Sequence, residues 1–137
     1  MKEPTGLLRT DNKRPDGLSL IPWQRSKSVT WDVTVTSTLA DSYLSVSAES
    51  AGAAAELAAT RKIAKYSSLP ASHSFQPIAL ETHGPINNSA VDFLTDLGHR
   101  ISSVTGEERE KQFLFQRIAV ALQRYNAVLA YFTSCSL

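Results

Sequence analysis

The chain has 137 residues, enough for one domain with a real core, and 42% hydrophobic with 8% aromatic content is ordinary for a globular protein. Its 14 Lys and Arg against 13 Asp and Glu leave a formal charge of +1, which excludes a global polyanion-binding signal. A single cysteine, Cys135, excludes a disulfide framework and a cysteine-built zinc site, and no apolar run nears the roughly 18 residues that cross a bilayer.

The opening "MKEPTGLL" lacks the apolar stretch of a signal peptide, so the expectation is a soluble intracellular protein with no membrane partner. Residues 1–12 read as an irregular lead-in, 13–132 as the domain and 133–137 as a tail. "GLSLIPW" (17–23) and "SVTWDVTVT" (28–36) are β-rich and separated by "QRSK", a hairpin signal with a loop of about four residues. Pro22 falls late in the first strand, where an edge position or a bulge is expected. "STLADSYL" (37–44) suggests a helical turn capped by Ser37 or Thr38. The Ala-rich "SAESAGAAAELAATRKIAKY" (47–66) reads as a helix, with Ala55, Ala58 or Ala59, Ile63 and Tyr66 as its contact face. "SFQPIALET" (74–82) reads as a third strand. Asn88 or Ser89 should cap a helix through "AVDFLTDLGHRISSVTG", stopped by Gly106. A last helix is expected from near Glu107 to about Phe132, with acids in its first turn and Phe113, Ile118, Leu122, Tyr125 and Leu129 on its apolar side. The order predicts an α/β (α+β) fold, a mixed β-sheet containing a hairpin and flanked by helices.

Two carboxylates sit awkwardly in this scheme. Asp16 follows Pro15 where a strand is about to start, and Asp32 interrupts a good strand between Trp31 and Val33. With "QRSK" as the connection, Asp32 pairs near Leu18 or Ser19, and Asp16 lies one strand-step beyond, roughly 6–8 Å away. They share a face only if a bulge, best placed near Pro22, sets the parity. Carboxylates held so close repel unless a cation lies between them, and a hard divalent ion such as Mg²⁺ is the natural neutraliser. The plainer reading makes Asp16 a turn residue, with Gly17 supplying positive φ. It places Asp32 with Thr30 and Thr34 on a solvent face.

A third component lies in "RKIAKY". Lys62 and Lys65 are three apart and Lys62 and Tyr66 four apart, so they are neighbours on a helix surface. If that helix packs on the hairpin, one lysine can reach the carboxylates; otherwise both snorkel into water. Between residues 9 and 27, Arg9, Lys13, Arg14, Arg25 and Lys27 outnumber Asp11 and Asp16, a local basic excess that suits a phosphate backbone or a solvated surface.

"RPD", "WDVTV" and "RKIAKY" in this order resemble the restriction-like endonuclease domain at the carboxyl end of some non-LTR retrotransposon polyproteins, a branch of the PD-(D/E)XK nuclease superfamily. The likeness runs from about Gly6 to Asn126 and takes in "PIALETHGPIN", "LGHRISSVTG" and "FQRIAVALQR". It implies a restriction-endonuclease-like fold, with the superfamily's opening helix poorly represented in residues 1–12, as in a domain truncated at its N-terminus. It implies a DNA endonuclease that nicks a target site, with Asp16 and Asp32 as ligands of Mg²⁺ or Mn²⁺. The usual lysine position, two past the second acid, is Thr34; the retrotransposon branch takes its lysine from the following helix, where Lys62 fits first and Lys65 second. Arg14, before the proline, and Lys65 would meet DNA. The partners implied are DNA and the reverse transcriptase portion of the parent polyprotein, in the nucleus when part of that element. The alternative is a degenerate, non-catalytic remnant that only folds or binds nucleic acid. A protein-interaction domain built on the last helix would expose a Phe113–Phe115 patch.

The remaining candidates carry less. His73, His83 and His99 lack metal-ligand spacing, and Trp23 and Trp31 should pack the hairpin. Glu81 reads as a surface glutamate at a strand end, with an extra metal or base-positioning role as the alternative. Cys135 is expected to be inert.

Overall fold

A computed structural model describes residues 14–37 and 50–135. The expected lead-in over 1–12, the turn expected from Thr38 to Leu44 and the side chains of Leu129 and Cys135 lie outside the described residues. The described chain is a mixed sheet between helices. In chain order it runs β1 (Gly17–Leu18), β2 (Ser28–Thr36), α1 (Ala53–Lys65), β3 (His73–Glu81), α2 (Asn88–Thr105) and α3 (Glu110–Cys135). The three strands lie in the order β1-β2-β3, with β1 antiparallel and β3 parallel to the central β2.

The first strand is far shorter than the expected 17–23. Gly17 pairs with Trp31 and Leu18 with Thr30, and the Ser19 amide still donates to the Val29 carbonyl at 2.9 Å. The chain then leaves the ladder through residues 20–23 and rejoins it at the Gln24–Lys27 bridge, so four residues stand opposite Ser28 alone. This is the bulge expected near Pro22, and it shifts register by an odd number. The register corrects the expected pairing: continued by one residue, it sets Asp16, not Leu18 or Ser19, opposite Asp32. Arg25 and Ser26 close the hairpin with φ of 48° and 59°, positive at both central residues as a type I′ turn demands.

Period-two alternation sorts the faces of β2, but the opposite way from the solvent-face reading. Thr30, Asp32 and Thr36 are buried towards α1, whereas Val33 on the other face is 44% exposed. The reason lies in α1, where Ala54, Ala55, Ala58 and Ala59 are all buried and bring the helix backbone close to Ala79 of the sheet. Small side chains there leave room for polar groups underneath. Continued at helical spacing, this stripe reaches Lys62 and Tyr66; Ile63, expected on the contact face, is 53% exposed.

The opposite face of the sheet meets α2 and α3. Leu94 is buried from α2 and Leu122 from α3, with Leu114, Phe115 and Ile118 half-buried. Of the residues expected on the apolar side, Ile118 and Leu122 do turn inward, whereas Phe113 and Tyr125 are exposed; Leu114, one residue on from Phe113, takes the inward position. Asn87, not Asn88 or Ser89, precedes α2, and its carboxamide turns back to accept from the Ala79 amide at 2.8 Å. Gly106 ends α2 in the left-handed region at φ 78°, as expected. The third strand and α3 keep their expected identities with boundaries moved by one and three residues, α3 running on through Cys135.

A candidate acidic-lysine site on the hairpin

Asp32 is the centre of the arrangement. It is 4% exposed, set in mid-β2 under the C-terminal turn of α1, and Lys62 reaches down so that Nζ lies 2.6 Å from Asp32 Oδ2. Burial of a carboxylate without a partner is strongly unfavourable, and Lys62 is the partner that Asp32 has there. The contact is one of charge: among the described residues no hydrogen-bond donor is aligned on Oδ2, and the buried hydroxyls of Thr30 and Thr34 on either side are likewise without hydrogen-bond partners. Thr30, Asp32 and Thr34, alternate residues on one face of the strand, thus present buried side-chain oxygen atoms with no aligned hydrogen-bond donor among the described residues.

Asp16 approaches from the sheet edge. Because β1 stops after two residues going one way and begins only at Gly17, the ladder position beside Val33 has no backbone partner from β1, and Asp16 Oδ2 accepts the Val33 amide instead at 2.7 Å. The side chain of Asp16 is therefore fixed to the residue next to Asp32, with Oδ1 remaining for other use. Gly17 serves a purpose other than the positive φ expected of "PDG". The Trp31 ring lies across it so closely that a Cβ would fall 2.1 Å from the ring, so no larger residue fits between Asp16 and Leu18 without moving Trp31.

Tyr66 joins the pieces. It is fully buried, its hydroxyl donates to the Arg14 carbonyl at 2.8 Å, and it lies 3.4 Å from Asp32 Oδ1. One phenol therefore ties the end of α1, which carries Lys62, to the "RPD" segment and to Asp32. Its ring packs against Phe75 with centroids 4.7 Å apart. Tyr66 had a sequence signal, since it follows Lys62 by one helical turn, but its spacing marked it for packing and not for the site.

Of the residues expected to act, Asp16, Asp32 and Lys62 are brought together. Lys65 is exposed and holds its ammonium 5.1 Å from the Tyr66 ring centroid, beside the site and away from the carboxylates. Arg14 is exposed and takes part through its backbone carbonyl. Glu81 corrects its reading as a surface residue: it is 4% exposed, and Oε1 accepts the amides of Ala54 and Ala55 at 3.0 and 3.2 Å. Gly52 has no side chain with which to cap α1, so a carboxylate from the neighbouring strand does so and meets the positive end of the helix dipole.

Two carboxylates on facing ladder positions, Oδ2 of one engaged by the Val33 amide and Oδ2 of the other by Lys62, are a donor set of the sparse kind that Mg²⁺ takes, an ion held by one or two carboxylates and otherwise by water and substrate phosphate. Among the described residues there is no cluster of three or more His, Cys, Asp or Glu side chains, so the fit is to such a sparse site and not to a closed cage. No helix among the described residues is long and apolar enough to cross a membrane. Comparison with protein-family models, with curated proteins and with solved structures gives no match.

Proposed function

We propose that the chain is a metal-dependent DNA endonuclease domain of the restriction-like type, hydrolysing a phosphodiester to nick a target site, as its resemblance to non-LTR retrotransposon nucleases implies. The observation that carries this reading is the meeting of Asp32 with Lys62 at 2.6 Å while Asp16 is bonded to the neighbouring Val33 amide, because the two acids and the lysine come from three separate stretches of sequence. Mg²⁺ or Mn²⁺ held by Asp16 and Asp32 would neutralise phosphate charge and lower the pKa of a bound water. Lys62 would place a cation beside the phosphate where negative charge develops. Tyr66 keeps the "RPD" segment against α1, and Lys65 and Arg14 face the DNA backbone.

The test is nicking of supercoiled plasmid by the full chain with Mg²⁺ present and with it chelated. The wild type should nick only with the metal, and Asp16→Asn, Asp32→Asn and Lys62→Ala should each lose roughly a hundredfold or more in rate. Lys65→Ala should keep most of the activity. Wild-type protein that leaves plasmid intact across Mg²⁺ and Mn²⁺, or an Asp32→Asn variant that nicks as well as wild type, would overturn the assignment.

A second reading is favoured by one feature. Lys62 already neutralises Asp32 and Val33 already engages Asp16, so the group is self-sufficient as a structural clasp. That is what a non-catalytic remnant that folds or binds nucleic acid would retain. It predicts that the same substitutions lower stability while wild type shows no metal-dependent cleavage.

A further inference from the structure

The hairpin that carries Asp16 and Asp32 also carries two of the three most exposed large apolar side chains of the described chain, the third being Val104 at 88%. Leu20 is 96% exposed and Ile21 74%, both within the bulge opposite Ser28. Exposure of this kind in a loose loop would mean little, but this bulge is clamped at both ends. At its start the Ser19 hydroxyl accepts the Val29 amide and donates to the Ile21 carbonyl, each at 2.9 Å. At its end the Trp23 amide donates to the Lys27 carbonyl at 2.7 Å, and the Trp23 ring packs against Phe93, at 5.0 Å, and under the Arg100 guanidinium, at 3.7 Å. Arg100 also donates to the Trp23 carbonyl at 2.9 Å. The two apolar side chains thus sit on a fixed frame, Leu20 almost wholly in solvent and Ile21 at the rim of the apolar cleft beneath α2, which lowers the ordering cost of using them as a contact.

Beyond the bulge the tip is basic. Arg25 and Lys27 are exposed, and Arg25 and Ser26 occupy left-handed backbone positions that glycine or asparagine would fill with less strain. On the facing element, Asp96 is paired with Arg100 at 3.2 Å, and Asp92 lies with it in the polar cleft beside Trp23 and Gln24. The exposed cations thus lie on the turn and the acids on α2.

We propose that Leu20 and Ile21 are a wedge that enters a base step of duplex DNA while Arg25 and Lys27 hold the flanking phosphates. Leucine, isoleucine and proline are side chains that unstack base steps from the minor groove, and cations beside them offset the phosphate repulsion that a kink brings. The proposal rests on the nuclease reading for its choice of partner and adds a substrate preference. Steps that unstack at little cost, pyrimidine followed by purine, should be favoured. Leu20 is four positions along the chain from Asp16, no more than about 13 Å of strand, so the cut should fall within on the order of four base pairs of the unstacked step.

The experiment uses the full chain in EDTA, where no cleavage occurs, and a short duplex with 2-aminopurine at a single T–A step. Wild type should raise 2-aminopurine fluorescence several-fold at saturation. The Leu20→Ser/Ile21→Ser double variant should bind roughly tenfold more weakly, without that rise, and with an unchanged circular dichroism spectrum and Tm. Arg25→Ala/Lys27→Ala should instead flatten the dependence of log affinity on log salt by about two. Wild-type binding with no fluorescence change, or a double serine variant that behaves as wild type, overturns the wedge. So does a double variant that loses only binding to phosphatidylserine vesicles, which would assign the pair to a membrane surface. Plasmid nicking in the same preparations separates the two proposals: nicking without unstacking leaves the nuclease reading standing alone, unstacking without nicking leaves the wedge alone, and failure to bind duplex removes both.

Discussion

A buried carboxylate facing a lysine that is itself only 26% exposed turns Asp32 into a residue whose neighbours can be ranked by what their loss would leave behind. Lys62→Met keeps the stem's packing and removes the charge, which strands Asp32 in the interior. Because water can still reach this end of α1, the cost should be about 1–3 kcal/mol in urea denaturation, below that of a sealed pair. Tyr66→Phe removes a single hydroxyl from the Arg14 carbonyl and should cost about 1 kcal/mol. If the phenol also positions the "RPD" segment, cleavage by Tyr66→Phe should fall by more than that loss of stability accounts for, with Mg²⁺ dependence moved to higher concentration. A Lys62→Met protein as stable as wild type would show that Asp32 is neutral or hydrated in the folded chain. At this scale the sequence was partly legible. Asp16, Asp32 and Lys62 stood out by type and position, whereas Tyr66 was legible only as a packing residue and Glu81 as a strand-end surface acid, because the backbone groups they bond lie across the fold and leave no mark in local spacing.

At the scale of elements, α1 is held at its start by a residue of another element. Gly52 precedes it in the left-handed region at φ 87°, and Glu81 at the end of β3 accepts its first free amides. Glu81→Ala should therefore cost about 1–2 kcal/mol, within the range of a lost helix cap, with Glu81→Gln recovering part of it. The measurement is thermal unfolding of all three proteins followed by circular dichroism; equal Tm values would show that α1 is held by its alanines alone. The same element explains why the strand pattern of "VTWDVTV" was readable while its orientation was not. Alternation establishes that Thr30 and Asp32 share a face, but which face is covered depends on how closely the covering helix can approach. Four buried alanines allow α1 to lie over polar groups, and no stretch of β2 contains that information. The hairpin was legible in the same partial way: the "QRSK" turn and a bulge at Pro22 were expected, but the bulge expels four residues from the ladder and leaves β1 with two.

For the whole molecule, the two faces of the sheet are covered unequally. The α1 side is sealed by small side chains, while clefts of about 620 and 560 Å³ open between the other face and α2 and α3. Leu94 borders both clefts and is itself 4% exposed, so it is the side chain through which α2 grips the sheet. Leu94→Ala should cost about 2–4 kcal/mol by chemical denaturation, the range for a buried leucine lost from a core that can relax partly into neighbouring space. It should do so without altering the Asp32–Lys62 pair on the far face, so any residual DNA cleavage per folded molecule should be unchanged. A loss below 1 kcal/mol would mean that α2 and α3 are only loosely attached.

The sequence by itself determined the order and type of the elements, the place of the bulge, and three polar residues that local structure left unexplained, because turns, helical spacing and strand alternation are properties of neighbours in the chain. Only the tertiary structure decided that the polar face of β2 points inward, that Lys62 and not Lys65 meets Asp32, that Asp16 replaces a missing ladder partner, and that Leu20 and Ile21 stand out on a clamped frame. Each of those depends on how near two distant segments can come. That is set by the size of the side chains between them and by where buried polar groups find partners, neither of which is a property of any one stretch of sequence.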